Sequence, residues 1–164
     1  MTDSLMPDAL LRDFAGQRYI NLTTFRRDGR AVATPVWFVI YEGRLYVYTE
    51  ASSGKAKRVR ANGRAQIAPS DVRGRPLGAF IAASARQVSE SALCARLEDA
   101  FRRKYGWQYR LFSIIATFLR RGAHVFIELS LKQGESTAGD ADFMPNHTTH
   151  RGVHSPIRAS STSL

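Results

Sequence analysis

YINLTTFRRDGRAVATPVWFVIYEGRLYVYTEASSGKAKR, residues 19–58, is the stretch that decides the fold. Tyr19, Asn21, Thr23 and Phe25 alternate with Ile20, Leu22 and Thr24, the period of two expected of a strand built from β-branched and aromatic residues. The run stops at Asp28-Gly29, a strong hairpin signal. A second strand over Ala31–Tyr41 ends at Glu42-Gly43, another tight turn, and a third covers Leu45–Thr49. Pro35 cannot donate a ladder hydrogen bond, so the second strand should be bulged or an edge there, with Thr34, Pro35, Val36 and Trp37 near the end of the third strand.

That third strand delivers Thr49-Glu-Ala-Ser-Ser-Gly-Lys-Ala-Lys-Arg58 into a helix expected over Gly54–Asn62. Hydroxyls, the flexible Gly54 and the cations Lys55, Lys57 and Arg58 at a strand end that opens a helix suit an anionic group such as a phosphate. Composition alone also allows these cations to be a solvated helix face. The stretch is not a Walker P-loop, which needs a second glycine upstream and a hydroxyl after the lysine, where Ala56 stands. Nucleotide hydrolysis has no support.

Further along, Asp8–Phe14 reads as a short leading helix behind Pro7. Arg64–Pro69 reads as a strand, Asp71–Gly78 as a loop and Ala79–Val88 as a long strand. A helix runs from Ser89 to a stop at Gly106, and His124–Leu131 is the last strand. Trp107–Arg121 is apolar around much of its circumference, which fits a packing helix, a flap over a substrate groove or a membrane-surface helix. This order predicts a mainly β protein, an antiparallel barrel closed late by its C-terminal strand.

With 164 residues, 44% of them hydrophobic, the chain can bury one core, expected over residues 1–131. Residues 132–164 are rich in Ser, Thr, Gly and His and are expected to be a disordered tail. In that tail Lys132, Arg151 and Arg158 balance Glu135, Asp140 and Asp142, so residues 1–131 hold all of the +10 net charge. A basic domain favours an anionic ligand. Nucleic acid is disfavoured, because the aromatic residues occupy alternating strand positions or one helix, as core does. No apolar run reaches the roughly 20 residues of a membrane span, and no secretory signal opens the chain, so a cytoplasmic protein is expected. Cys94 reads as a small packing residue. His147, His150 and His154 lie in the tail without a fixing carboxylate or cysteine, so no metal site is expected. No Ser-His-Asp set or carboxylate pair stands out, and catalytic side chains remain unassigned.

Several segments, taken together, resemble one family. They are Thr23-Thr24-Phe25, Ala33–Phe38, Leu45–Thr49, Ser53–Arg58, Ala68-Pro69, Asp71 with Arg73-Gly74-Arg75-Pro76, and Arg103–Gly106 with Gln108-Tyr109-Arg110. The set is similar to the flavin and deazaflavin oxidoreductases of the pyridoxamine-phosphate-oxidase-like split-barrel class, over about residues 15–131. The resemblance implies a six-stranded split β-barrel that forms a homodimer, with a cofactor in each of two grooves between subunits.

It also implies that Ser53 and Lys55 hold the cofactor phosphate with Lys57 and Arg58 beside them. Thr49, Gly54, Ala56, Ala68, Pro69, Arg73 and Arg75 complete the expected cofactor site, and the backbone of Thr34–Trp37 lies along the ring. Trp107 and Tyr109 are the candidates for the substrate side. The Arg and His pair by which true pyridoxamine-phosphate oxidases grip substrate is not evident, so vitamin B6 oxidation is not expected. The Asp-x-Arg-Gly-x-Pro loop and the Lys-Tyr-Gly-x-Gln-Tyr-Arg segment resemble members that use coenzyme F420, with FMN the alternative. The expectation is an oxidoreductase acting on a small hydrophobic or conjugated molecule, against a non-catalytic flavin- or haem-binding barrel.

Overall fold

The structure, a computed structural model, describes residues 7–111 and 123–131. A short helix α1 (Asp8–Ala15) leads into strands β1 (Tyr19–Phe25), β2 (Ala31–Tyr41) and β3 (Arg44–Glu50), helix α2 (Gly54–Asn62) and strands β4 (Arg64–Ser70) and β5 (Ile81–Gln87). Helix α3 (Ser91–Tyr105) and strand β6 (His124–Leu131) follow. The strands close into a six-stranded antiparallel barrel in the order β1-β2-β3-β6-β5-β4, with β6 inserted last between β3 and β5. Residues 107–111 are helical; the remainder of the expected Trp107–Arg121 helix and the expected tail lie outside the described residues.

Turn chemistry sets the hairpin registers. Gly29 takes φ +85° in the first hairpin, and the Asp28 carboxylate accepts hydrogen bonds from the N–H and Nε of Arg30 at 3.1 and 2.8 Å. The second hairpin is a two-residue loop with positive φ at both Glu42 (48°) and Gly43 (72°), the twist that joins antiparallel strands without splaying them. Helix α2 stops where Gly63 turns left-handed and its N–H reaches the Val59 carbonyl at 2.9 Å.

Alternation then sorts side chains to two faces. Ile20, Leu22, Phe38, Leu45, Val47, Ile67, Ile127 and Leu129 fill the barrel, joined by Phe14 of α1 and Val59 of α2. Outside it, Val39, Tyr46 and Phe126 are covered by α3, which turns Leu97, Phe101 and Tyr105, four residues apart, onto the sheet. Full burial of Phe101 contributes about 1.5–3 kcal/mol. Half-buried Cys94 packs against this second cluster, and burial pushes its thiol pKa up, as for a packing residue.

Two details are settled by tertiary structure alone. Both faces of β1 are buried: the turn after β4 folds over its outer side, where Asn21 Nδ2 donates to the Gly74 carbonyl at 2.8 Å and Thr23 donates to Asn21 Oδ1 at 3.0 Å. Pro35 produces no bulge, because β1 and β2 pair without interruption from Phe25↔Ala31 to Tyr19↔Trp37. The edge alternative holds instead, since β2 meets β3 only from Phe38↔Val47 onward. The first half of β2 pairs with β1 alone, and the barrel is split between β2 and the end of β3.

Candidate functional site

The end of β3 and the start of α2 are locked together. Ser53 is in extended conformation, and its Oγ caps the helix by accepting the Ala56 N–H at 3.3 Å. The Thr49 hydroxyl lies 3.2 Å from Ser53 Oγ, and the Ser53 N–H donates to the Glu50 carbonyl at 3.1 Å. Pairing with β6 fixes the strand itself, setting Thr49 opposite Val125 and Glu50 opposite His124. The first turn of α2 contains no acidic residue, so its positive dipole end is not neutralised from within.

Cations gather at this helix start. Arg58 folds back over Gly54, where a Cβ would lie 2.8 Å from its guanidinium, and its Nε donates to the buried Thr24 hydroxyl at 2.8 Å. Lys55 is half-buried, Lys57 is exposed, and Ala56 is fully buried against the barrel. Burial first, and then the neighbouring Arg58, pull the Lys55 pKa below the usual lysine value, with Glu50 opposing. Burial and Arg26 likewise lower that of Arg58. Among the described residues no carboxylate lies within ion-pair distance of either side chain. An anion here would relieve two crowded charges at once.

The expected ring-facing segment lies on the split. Continuing the β2–β3 register beyond Phe38↔Val47 would set Trp37 opposite Tyr48 and Val36 opposite Thr49, but the strands are unpaired there. The Phe38 N–H turns toward the β1 side, where Tyr105 receives it, so period-two alternation turns the main chain of Pro35 and Trp37 toward the split. The donor that Pro35 lacks is therefore missing from an open edge, where it costs no ladder bond.

Arg73 and Arg75 ride on a tight turn. Their N–H groups both reach Asp71 Oδ1 at 2.9 Å, Gly74 takes φ +83°, and a Cβ at Gly74 would meet Pro35 Cδ at 3.1 Å. The turn thus sits on Pro35 and Asn21, with both arginines exposed. Ala68 and Pro69 are buried in β4 opposite Asn21 and Ile20, and the Pro69 carbonyl anchors the loop by accepting the Leu77 N–H at 2.7 Å. They support the loop and present no open surface.

Of the two substrate-side candidates, Trp107 is 70% exposed while Tyr109 is 4% exposed, packed against Tyr48 and Phe101. Within the described chain Tyr109 therefore fills the aromatic layer under α3. His124 belongs to that layer too, stacked on Tyr48 at 4.7 Å, and burial lowers its pKa while Glu50 opposes. In the sequence His124 stands out only as the start of a strand and as the one histidine outside the tail; pairing with β3 then sets it opposite Glu50, just ahead of α2.

Glu128 carries a sequence signal of its own, as the lone acid inside the apolar run of β6. It is fully buried and accepts from Arg86 at 3.1 and 2.8 Å and from Tyr46 at 3.2 Å, with Arg44 at 3.5 Å. Away from the split, a cleft of about 980 Å³ opens between α1, α3 and the end of β2. Among the described residues no group of three His, Cys, Asp or Glu side chains is placed to hold a metal, and no helix is long and apolar enough to cross a membrane.

A family model described as pyridoxamine 5′-phosphate oxidase matches residues 6–138. No curated protein matches the sequence. Among solved structures, the chain is similar to the haem storage protein HutZ from Vibrio cholerae, with TM-score 0.58 and 15% identity over 80% of this chain and 93% of that one. It is similar to a conserved hypothetical protein from Mycobacterium tuberculosis, with TM-score 0.56 and 21% identity over 81% and 85% of the two chains. A FAD-binding protein from Mesorhizobium loti gives TM-score 0.53 and 14% identity over 76% and 87%. At such identities the likeness is one of fold.

Proposed function

The chain belongs to the pyridoxamine 5′-phosphate oxidase family of split barrels, and from that premise we propose that it is an oxidoreductase whose cofactor is the deazaflavin F420. The observation that carries the reading is the pair of half-buried cations Lys55 and Arg58 at the capped start of α2, which follows the end of β3 where that strand has parted from β2. Ser53, Lys55 and Arg58 would hold the cofactor phosphate, with Thr49 keeping the capping hydroxyl in place and Lys57 adding charge from solvent. The main chain of Thr34–Trp37 would border the ring, and Trp107 would face the substrate.

When bound, the ring supplies the hydride chemistry, and the protein contributes position, electrostatics and exclusion of water. Both cations stand on α2, and Arg58 is tied to β1 through Thr24, so the phosphate end would be fixed by the helix and the barrel together. F420 is preferred over FMN because it carries a phosphodiester and an acidic tail. Arg73 and Arg75, on the turn against Pro35, add cations beyond what one phosphate needs. The second reading, a barrel that binds flavin or haem without catalysis, draws on the relatives described as a haem storage protein and a FAD-binding protein.

Fluorescence and absorbance titrations of the purified protein with F420, FMN and haem, at physiological salt, separate these readings. Tightest binding of F420 is expected. Tighter binding of FMN would move the assignment to the flavin, and tight haem binding with no flavin or deazaflavin bound would favour the non-catalytic barrel.

A further inference from the structure

The cleft between α1 and α3 is separate from the cation cluster of α2 and is built differently. Its floor is the last part of β2, where β1 no longer runs alongside, with Val39 and Ile40 flanked by Leu11 of α1 and Ala100 of α3. The Phe38 main chain is already engaged by the Tyr105 hydroxyl at 2.9 and 2.8 Å. Alternation turns the Ile40 N–H and C=O the same way as those of Phe38, into the cleft.

The charges around it do not cancel. Asp99 is engaged by Arg102 at 3.3 Å and Arg96 faces Glu42 at 4.0 Å, which leaves Arg12, Arg103 and Lys104 against Asp8. Lys104 reaches furthest inward. Its Nζ stands 3.5 Å from the centre of the Phe38 ring and 5.5 Å from that of Tyr105, a half-buried ammonium held by aromatic faces. Burial and the nearby Arg18 lower its pKa to about 8, and a bound anion would oppose both.

We propose that this cleft is a binding site for a small organic carboxylate with an apolar body, seated between Lys104 and the Ile40 main chain. A volume of about 980 Å³ is large enough for such a molecule. Leu11, Ile40 and Ala100, all only partly buried, provide apolar surface for its body, while the Lys104 ammonium and the Ile40 N–H are donors suited to the two carboxylate oxygens. The proposal is independent of the cofactor reading.

The test uses the full chain with its lysines reductively dimethylated in carbon-13, which keeps their charge. Lys55, Lys57, Lys104 and Lys132 then give separate NMR signals, with Lys104 assigned through Lys104→Arg. Octanoate at millimolar concentration should shift the Lys104 signal saturably and leave the other three in place. Ala15→Trp fills the cleft from an exposed position on α1, so it should leave the fold intact and weaken the octanoate response about tenfold, about 1.4 kcal/mol. No saturable Lys104 shift, equal shifts at all four lysines, or a response unchanged by Ala15→Trp would overturn the proposal.

Discussion

The Tyr105 hydroxyl takes the place of a strand beside Phe38: it accepts the Phe38 N–H at 2.9 Å and lies 2.8 Å from the Phe38 carbonyl and 2.7 Å from that of Arg18. Continuing the β1–β2 register would set Arg18 opposite Phe38, so a side chain of α3 supplies the rung where β1 has run out. Tyr105→Phe keeps the ring stacked on Trp37 but leaves a buried N–H without its acceptor. The expected loss is about 1–3 kcal/mol in urea unfolding. An unchanged midpoint would show that the hydroxyl is dispensable to the edge.

Glu128 binds three strands together, because Tyr46 and Arg86 are its register partners on β3 and β5. Glu128→Gln should destabilise the fold by about 2–3 kcal/mol, less than breaking a fully enclosed pair, since Arg86 is half exposed and can turn to water. Burial first, and then Glu128, push Tyr46 up to about 12. Its folded pKa exceeds the unfolded value of about 10, so its contribution is whole below pH 10 and is lost as pH rises toward 12. Ultraviolet titration of tyrosinate should find Tyr46 ionising earlier in Glu128→Gln than in the parent.

Lys104 has the opposite sign. Its folded pKa, about 8, lies below the ordinary lysine value, so folding disfavours the ammonium, and the handicap is removed as pH rises from about 8 toward 10.5. The stability of the parent relative to Lys104→Met should therefore increase between pH 7 and pH 10 in paired denaturant titrations. A constant difference would show that the ammonium is better solvated than its position over Phe38 implies.

What could be read in advance was local. Asp28-Gly29 and Glu42-Gly43 fix their hairpins through backbone freedom, and Ser53 and Gly63 bound α2 by capping, so those elements fall where the residues place them. The choice between bulge and edge at Pro35 depended on where β3 leaves β2, which no residue near Pro35 specifies. The burial of Asn21 and Thr23 depended on a turn 53 residues away, and the Tyr105–Phe38 rung joins positions 67 apart. The cation cluster was visible because Ser53–Arg58 are consecutive. The α1–α3 cleft was not, because three distant segments build it.

Lys55→Ala should weaken binding of the cofactor phosphate by about 1.5–3 kcal/mol, the loss of one charge-assisted contact at a partly buried site. Lys55 is half-buried with its pKa already lowered, so its removal relieves repulsion from Arg58 and the fold should hold. Fluorescence titration measures the first effect and thermal unfolding the second. Parent-like cofactor affinity would return Lys55 to the reading of a solvated helix face.

The last prediction concerns assembly. Val72, Leu77 and Phe80 on the β4–β5 connection are 62%, 57% and 46% exposed, an apolar group that water should not meet on a finished surface. The first half of β2 adds an open edge, and α2 with its cations follows the end of β3 that has parted from it. A second copy of the chain would cover the apolar loop and complete the groove, so the protein should be a homodimer in solution. Residues 132–164 have almost no aliphatic side chains to add to such a contact, and a chain ending at Leu131 should dimerise equally well. Light scattering with parallel cofactor titration decides it. A monomer ending at Leu131 that binds cofactor at full affinity would overturn the shared groove, whereas loss of binding only on truncation would give the tail a part in the site.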